Sequence, residues 1–160
     1  LAAYGRFSSV KNFGALIDAV AKMGPSVELE LAGSGPDELD LLIDSWTARN
    51  VSVHGPISDI GKFLGSADAV IVPSRWEAFG LVATEARLAA RPIIVANVDG
   101  LPEQVGGAGL VAKCQTSDDI IAAIRQFQTL PFDLMSKAAR HNAADMREKI
   151  IGDWTNLLQA

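Results

Sequence analysis

Short apolar segments alternate with amphipathic helical stretches along the chain, and only a few residues connect one to the next. Two of the apolar segments, "AVIV" (Ala69 to Val72) and "IIVA" (Ile93 to Ala96), are uninterrupted by any polar residue. A strand without a polar face is one covered on both sides, as in a parallel sheet. "LAAYGR" at the start, "VELELA" (Val27 to Ala32), "VSVH" (Val51 to His54) and "GLVA" (Gly109 to Ala112) supply the other strands. Between them, Phe13, Leu16, Ile17, Val20 and Ala21 recur at helical spacing until Gly24-Pro25, and Leu39, Leu42, Ile43 and Trp46 mark a second helix behind Asp37. A third helix is expected near Asp59 to Leu64 and a fourth starts near Gly80. Ser117 with Asp118 and Asp119 caps a fifth through Phe127, and two more are expected over about Leu134 to Arg147 and Ile150 to Leu158. Right-handed crossovers between parallel strands put helices on both faces. The expected architecture is α/β: a Rossmann-like doubly wound parallel sheet of about six strands.

The 160 residues suit one domain with a core of its own. With 19 acids against 14 bases there is no basic stripe to exchange counterions with a nucleic-acid backbone, so nucleic acid is not expected as a partner. Cys114 is the sole cysteine, which leaves no internal disulfide, reads as a small buried apolar residue and fits a reducing cytoplasmic setting. No apolar run reaches the roughly 18 residues of a membrane span.

In a doubly wound sheet, ligands bind outside the carboxyl ends of the strands. That edge gathers the loops at Arg6 to Lys11, Gly33 to Pro36, His54 to Ile57, Pro73 to Gly80 and Asn97 to Glu103. Arg6 and Lys11 in "GRFSSVK" are a planar fork and a point charge, a pair suited to a diphosphate, although two solvated cations account for the segment equally well. "GSGP" lacks the third glycine of a dinucleotide fingerprint and the lysine of a phosphate loop, and reads first as a turn. His54 at a strand end is given no chemical role. In "SRWEAFGLVATEARLAARP", Glu77 and Glu85 bracket Phe79, Gly80 and Leu81 at a helix start. The free N–H groups there make an anion seat, and Gly80 is expected to leave room for a ligand. The two acids accept hydrogen bonds from hydroxyls, or else one is a capping acid and the other a surface acid beside Arg87 or Arg91.

The order and spacing of "YGRFSSVKNF", "LELAGSGPDE", "VHGPISDI" and "ADAVIVPSRWEAFGLVATEARLAARPIIVANVDGLPEQVGGAGLVA" resemble the donor-binding half of family-4 retaining glycosyltransferases of the GT-B type, over nearly the whole chain. The most specific elements are the two glutamates separated by seven residues, Glu77 and Glu85, and the Arg and Lys five apart, Arg6 and Lys11. The resemblance implies that Arg6 and Lys11 hold the diphosphate of a nucleotide sugar, that Glu77, the catalytic residue of the set, holds a donor-sugar hydroxyl, and that Glu85 takes the ribose hydroxyls. Phe79, Gly80 and Leu81 would give backbone contacts, and the base would lie near Gly33, Ser34 and Ile57. It implies no cofactor and no metal beyond the donor substrate, and no Asp-x-Asp triplet is present. It also implies that residues 1–160 are a fragment lacking an N-terminal acceptor domain, through which the parent would meet a glycan, lipid or small-molecule acceptor, with peripheral contact at the inner face of a membrane open to that parent. Ala90-Arg91 departs from the family's glycine before a basic residue. The alternative expectation is a non-catalytic module that binds a nucleotide or nucleotide sugar.

Overall fold

The computed structural model describes residues 1–141, 151, 152 and 155. Six strands form one sheet: β1 (Ala2–Arg6), β2 (Leu29–Ser34), β3 (Val51–His54), β4 (Val70–Val72), β5 (Ile93–Ala96) and β6 (Gly109–Ala112). Every pairing is parallel and the spatial order is β3-β2-β1-β4-β5-β6. This is the expected doubly wound sheet. The helices are α1 (Phe13–Met23), α2 (Glu38–Ser45), α3 (Ile60–Gly65), α4 (Leu81–Leu88) and α5 (Ser117–Gln128), followed by a helical segment over 132–141. On one face α1 packs between α2 and α5. On the other, Phe63 of α3 and Glu85 of α4 both reach Tyr4 of β1.

The uninterrupted apolar strands lie where the pattern demands. All of β4 and β5 is buried, and Leu29, Leu31, Ile71, Ile93 and Ile94 meet Leu16 and Ile17 of α1 and Ile120 and Ile124 of α5 in one core, every one at most 2% exposed. Burial of each such side chain stabilises the fold by about 1.5–3 kcal/mol before entropy is counted.

Local boundaries differ from expectation in instructive ways. The second strand runs over Leu29–Ser34 instead of Val27 to Ala32. A 3-10 turn (Gly24–Ser26) holds Val27 back, while Gly33 and Ser34 extend the ladder by pairing with Gly5 and Arg6. The second helix ends before Trp46, and its stripe does not face the core: Leu41 is buried, whereas Leu39, Ile43 and Trp46 are 68%, 50% and 83% exposed. Asp37 occupies the N-cap of α2 without a side-chain bond. At α5 the cap is Thr116, one residue earlier than expected, in a reciprocal capping box with Asp119. The helical segment over 132–141 matches the start of the stretch expected from Leu134. The rest of that stretch and most of Ile150 to Leu158 lie outside the described residues.

Candidate functional site

The strand order reverses between β1 and β4, so the chains leaving these two strands diverge and open a crevice at the carboxyl edge. Their loops are stitched together. The N–H of Arg75 donates to the Val10 carbonyl at 2.8 Å, and Lys11 Nζ forms an ion pair with Glu77, both side chains largely buried. Behind them Asn12, only 4% exposed, donates from Nδ2 to the Cys114 carbonyl at 2.7 Å and accepts at Oδ1 from Arg75 Nε at 3.1 Å. A third loop closes on the same segment: the Glu77 N–H donates to Asp99 Oδ2 at 3.0 Å, and the Gly100 N–H to the Glu77 carbonyl at 3.4 Å. Glu77 is thereby held from both sides by loops that leave β1 and β5.

α4 begins just beyond. Gly80 is its N-cap, no side chain caps it, and the first ladder bond runs from the Thr84 N–H to the Gly80 carbonyl at 3.1 Å. The N–H groups of the first turn are left unclaimed by the helix, which is the basis of an anion seat. Gly80 itself is buried, with φ of 88°, and a Cβ there would lie 2.6 Å from Leu101 Cδ2. Contrary to the expectation that Gly80 leaves room for a ligand, it is glycine because of its left-handed backbone and its contact with Leu101. Phe79 and Leu81 beside it are exposed, 45% and 65%, as is Trp76 at 61%. One helical turn on, Glu85 accepts a hydrogen bond from the Tyr4 hydroxyl.

Arg6, Gly33, Ser34 and Ile57 come together around an open cavity of about 480 Å³, whose wall also includes Tyr4 and Ile60. The glycines of "GSGP" are needed for packing: a Cβ on Gly33 would sit 1.9 Å from the Gly5 carbonyl oxygen, and one on Gly35 2.2 Å from that of Phe7. The Phe7 N–H donates to the Ser34 carbonyl at 2.8 Å, so this turn pins the exits of β1 and β2. The site residues therefore fall into three neighbouring groups: Arg6 with the cavity, Lys11 with Glu77 at the crevice, and Glu85 with Tyr4. A larger cavity, about 1040 Å³, lies along the β2–β3 flank and is lined by none of Arg6, Lys11, Glu77 or Glu85. His54 pairs with Glu30 on the neighbouring strand. Among the described residues no group of three or more His, Cys, Asp or Glu is placed to hold a metal ion, and no helix is long and apolar enough to cross a membrane.

Tyr4, Asn12 and Asp99 are site-building residues that the sequence patterns did not single out. Tyr4 sits within an apolar strand segment, and Asn12 reads as an ordinary helix cap, although its side chain makes no capping bond. Asp99-Gly100 carried the one usable signal, a turn dipeptide at a strand's carboxyl end.

A family model described as "Glycosyl transferases group 1" matches residues 1–146. A D-inositol 3-phosphate glycosyltransferase of Mycobacterium marinum is 35% identical over 156 aligned residues, covering 88% of this chain and 33% of that protein. A glycogen synthase of Mycobacterium tuberculosis is 30% identical over 148, covering 88% and 34%. The chain thus spans about a third of the length of these relatives. Among solved structures, sucrose-phosphate synthase from Thermosynechococcus elongatus superposes with a TM-score of 0.82 at 27% identity, over 99% of this chain and 44% of that one. The six-stranded sheet with helices on both faces is accordingly one Rossmann-like half of a GT-B fold, and the chain belongs to the group 1 glycosyl transferases.

Proposed function

We propose that the chain is the donor-binding domain of a retaining glycosyltransferase that takes a sugar from a nucleotide diphosphate sugar. The observation that carries this reading is the meeting of Lys11 and Glu77 beside the uncapped first turn of α4, with Arg6 on one side and Glu85 on the other. On this reading Arg6 and Lys11 hold the diphosphate, and the N–H groups around Phe79, Gly80 and Leu81 add the positive end of a helix. Two cations and a helix dipole oppose the charge that builds on the leaving diphosphate, so the charge stabilisation needs no metal. Glu77 lies against the sugar as the catalytic carboxylate and accepts from a sugar hydroxyl. Glu85 accepts from the ribose hydroxyls, and the base enters the cavity between Gly33, Ser34 and Ile57.

The Lys11–Glu77 pair has a consequence for binding. An incoming diphosphate competes with Glu77 for the Lys11 ammonium, which frees the carboxylate to meet the sugar. The same contact therefore reports whether phosphate has arrived. The acceptor would be held by another domain of the parent protein, in keeping with the third of its relatives' length that this chain spans.

The test is a ligand-observed NMR titration of the chain with uridine, adenosine and guanosine diphosphate sugars and the corresponding nucleoside diphosphates. Binding of at least one donor, weakened in Arg6→Ala and in Lys11→Ala, is expected. No binding to any of them would overturn the donor-domain reading, and equal affinity for a nucleoside diphosphate and its sugar in both the unaltered chain and Glu77→Gln would overturn the role of Glu77.

A further inference from the structure

Tyr4 belongs to the middle of β1 and is 8% exposed, yet it carries a hydroxyl that reaches α4, 81 positions along the chain, to donate a hydrogen bond to Glu85. Its ring is fixed independently of that bond. It packs edge-to-face on Phe63 of α3, with centroids 5.9 Å apart and planes at 80°, and it forms part of the wall of the cavity shared by Arg6, Gly33, Ser34 and Ile57. Burial, and then the bond to Glu85, push the phenol's pKa upward from 10.0, so the hydroxyl keeps its proton and remains a donor. An ionised carboxylate has about four acceptor positions on two oxygens. Tyr4 occupies one position on Oε2, and among the described residues nothing donates to Oε1.

We infer that Tyr4 is a positioning residue that makes the site selective for a ribonucleoside over a deoxyribonucleoside diphosphate, an inference that rests on the proposed donor site. A glutamate on a half-buried helix flank still samples several rotamers when nothing holds it, and ordering it on binding costs free energy that a ligand must supply. Tyr4 orders it beforehand. It removes one acceptor position from the inner oxygen and leaves Oε1 for a vicinal pair of hydroxyls, which is the pattern of a ribose 2′,3′-diol. A sugar lacking those hydroxyls would leave the half-buried carboxylate without donors on its outer side, and a site built to bond a hydroxyl rejects the analogue that lacks it. Because Tyr4 also walls the cavity assigned to the base, one rigid ring sets the spacing between the base pocket and the ribose acceptor.

Tyr4→Phe removes the hydroxyl and keeps the ring on Phe63, so it isolates this role from packing. The experiment is calorimetric titration of the unaltered chain and Tyr4→Phe with uridine, adenosine and guanosine diphosphates, then with the 2′,3′-dideoxy form of the tightest binder, and with inorganic pyrophosphate. The ribonucleotide is expected to bind roughly five- to tenfold more weakly to Tyr4→Phe, with the dideoxy form and pyrophosphate changed less than about twofold. An equal proportional loss for all three ligands would mean that Tyr4 only supports the fold, and an unchanged ribonucleotide affinity would mean that the hydroxyl does not position Glu85; either overturns the inference. Should Tyr4→Phe fail to fold, Glu85→Gln in the unaltered background provides the second reading: preference for the ribo form over the dideoxy form is expected to collapse, and its persistence overturns the inference. Absence of binding by any ribonucleoside diphosphate to the unaltered chain would overturn the donor-site reading itself, and this inference with it.

Discussion

Asn12 occupies a left-handed conformation, φ 57° and ψ 30°, which asparagine tolerates better than any other residue with a side chain except aspartate. The conformation turns its amide inward, where it satisfies the Cys114 carbonyl and the Arg75 guanidinium at once. Asn12→Ala is expected to cost about 2–4 kcal/mol, because it leaves a buried carbonyl without a donor and keeps the backbone strain. Asn12→Gly, which removes the strain but not the lost bonds, is expected to cost about 1 kcal/mol less. Urea unfolding of the two variants checks this, and an equal loss in both would show that the left-handed backbone contributes nothing. The neighbouring Cys114 supplies a prediction about pH. Burial, and then the charge of Asp119, push its thiol from 9.0 up to about 12, and burial raises the Tyr4 phenol in the same direction. The folded chain then holds protons that the unfolded chain releases, so stability is full below about pH 9 and falls as pH rises beyond it. Unfolding measured from about pH 7 to about pH 11 is expected to show a shallower alkaline decline in Cys114→Ala than in the unaltered chain. An identical decline would remove the thiol from the account.

The end of α4 shows why a helix boundary can be read only in part from residue types. The Arg91 N–H donates to the Ala86 carbonyl at 2.9 Å and the Ala90 N–H to that of Arg87 at 2.8 Å, the paired bonds of a Schellman turn. That turn places Ala90 at φ 55°, where a glycine is the usual occupant, so the missing glycine noted in the sequence leaves the geometry intact and costs energy instead. Ala90→Gly is expected to stabilise the chain by about 0.5–1 kcal/mol, the relief of left-handed strain less the entropy that glycine adds to the unfolded state. The same change at Ala89, which is not left-handed (φ −80°), is expected to destabilise it. Chemical denaturation separates the two signs. At the other end of α4, Gly80→Ala is expected to cost more than about 2 kcal/mol, since it adds both a forbidden backbone conformation and a clash with Leu101. Helix α2 marks a further limit: Leu39, Ile43 and Trp46 have helical spacing, but spacing does not say which face meets the sheet, and only the packed structure shows that Leu41 does.

At the scale of the whole molecule, the sheet was legible because β4 and β5 are apolar along their full length and because glycine- and proline-bearing segments follow β2, β3, β4 and β5. The crevice was legible as an edge, since Arg6 ends β1, Lys11 lies in the segment after it, and Glu77 and Glu85 lie in the loop and helix that follow β4 of the same sheet. The contacts that make it a site were not, because Tyr4 to Glu85 and Asn12 to Cys114 span 81 and 102 positions and leave no local periodicity. All proposed donor contacts lie within this one edge, so the chain alone is expected to bind a nucleotide diphosphate sugar. It is expected to bind weakly, with a Kd of roughly high-micromolar to millimolar, because Arg6 is exposed and the crevice is open to water that screens its charges. Affinity is therefore expected to fall as salt is raised from about 0.05 M to about 0.5 M, and a salt-independent Kd would contradict the diphosphate role of Arg6 and Lys11. Transfer is a separate matter. It requires an acceptor held in line with the sugar, and that alignment is worth about 7–11 kcal/mol of barrier. On the proposed reading this chain, which spans about a third of its relatives' length, presents one wall of the cleft, and the acceptor is held by the other. Incubation with a bound donor and candidate acceptors is expected to yield no glycosylated product, whereas robust turnover by the 160-residue chain would show that the acceptor site lies within it.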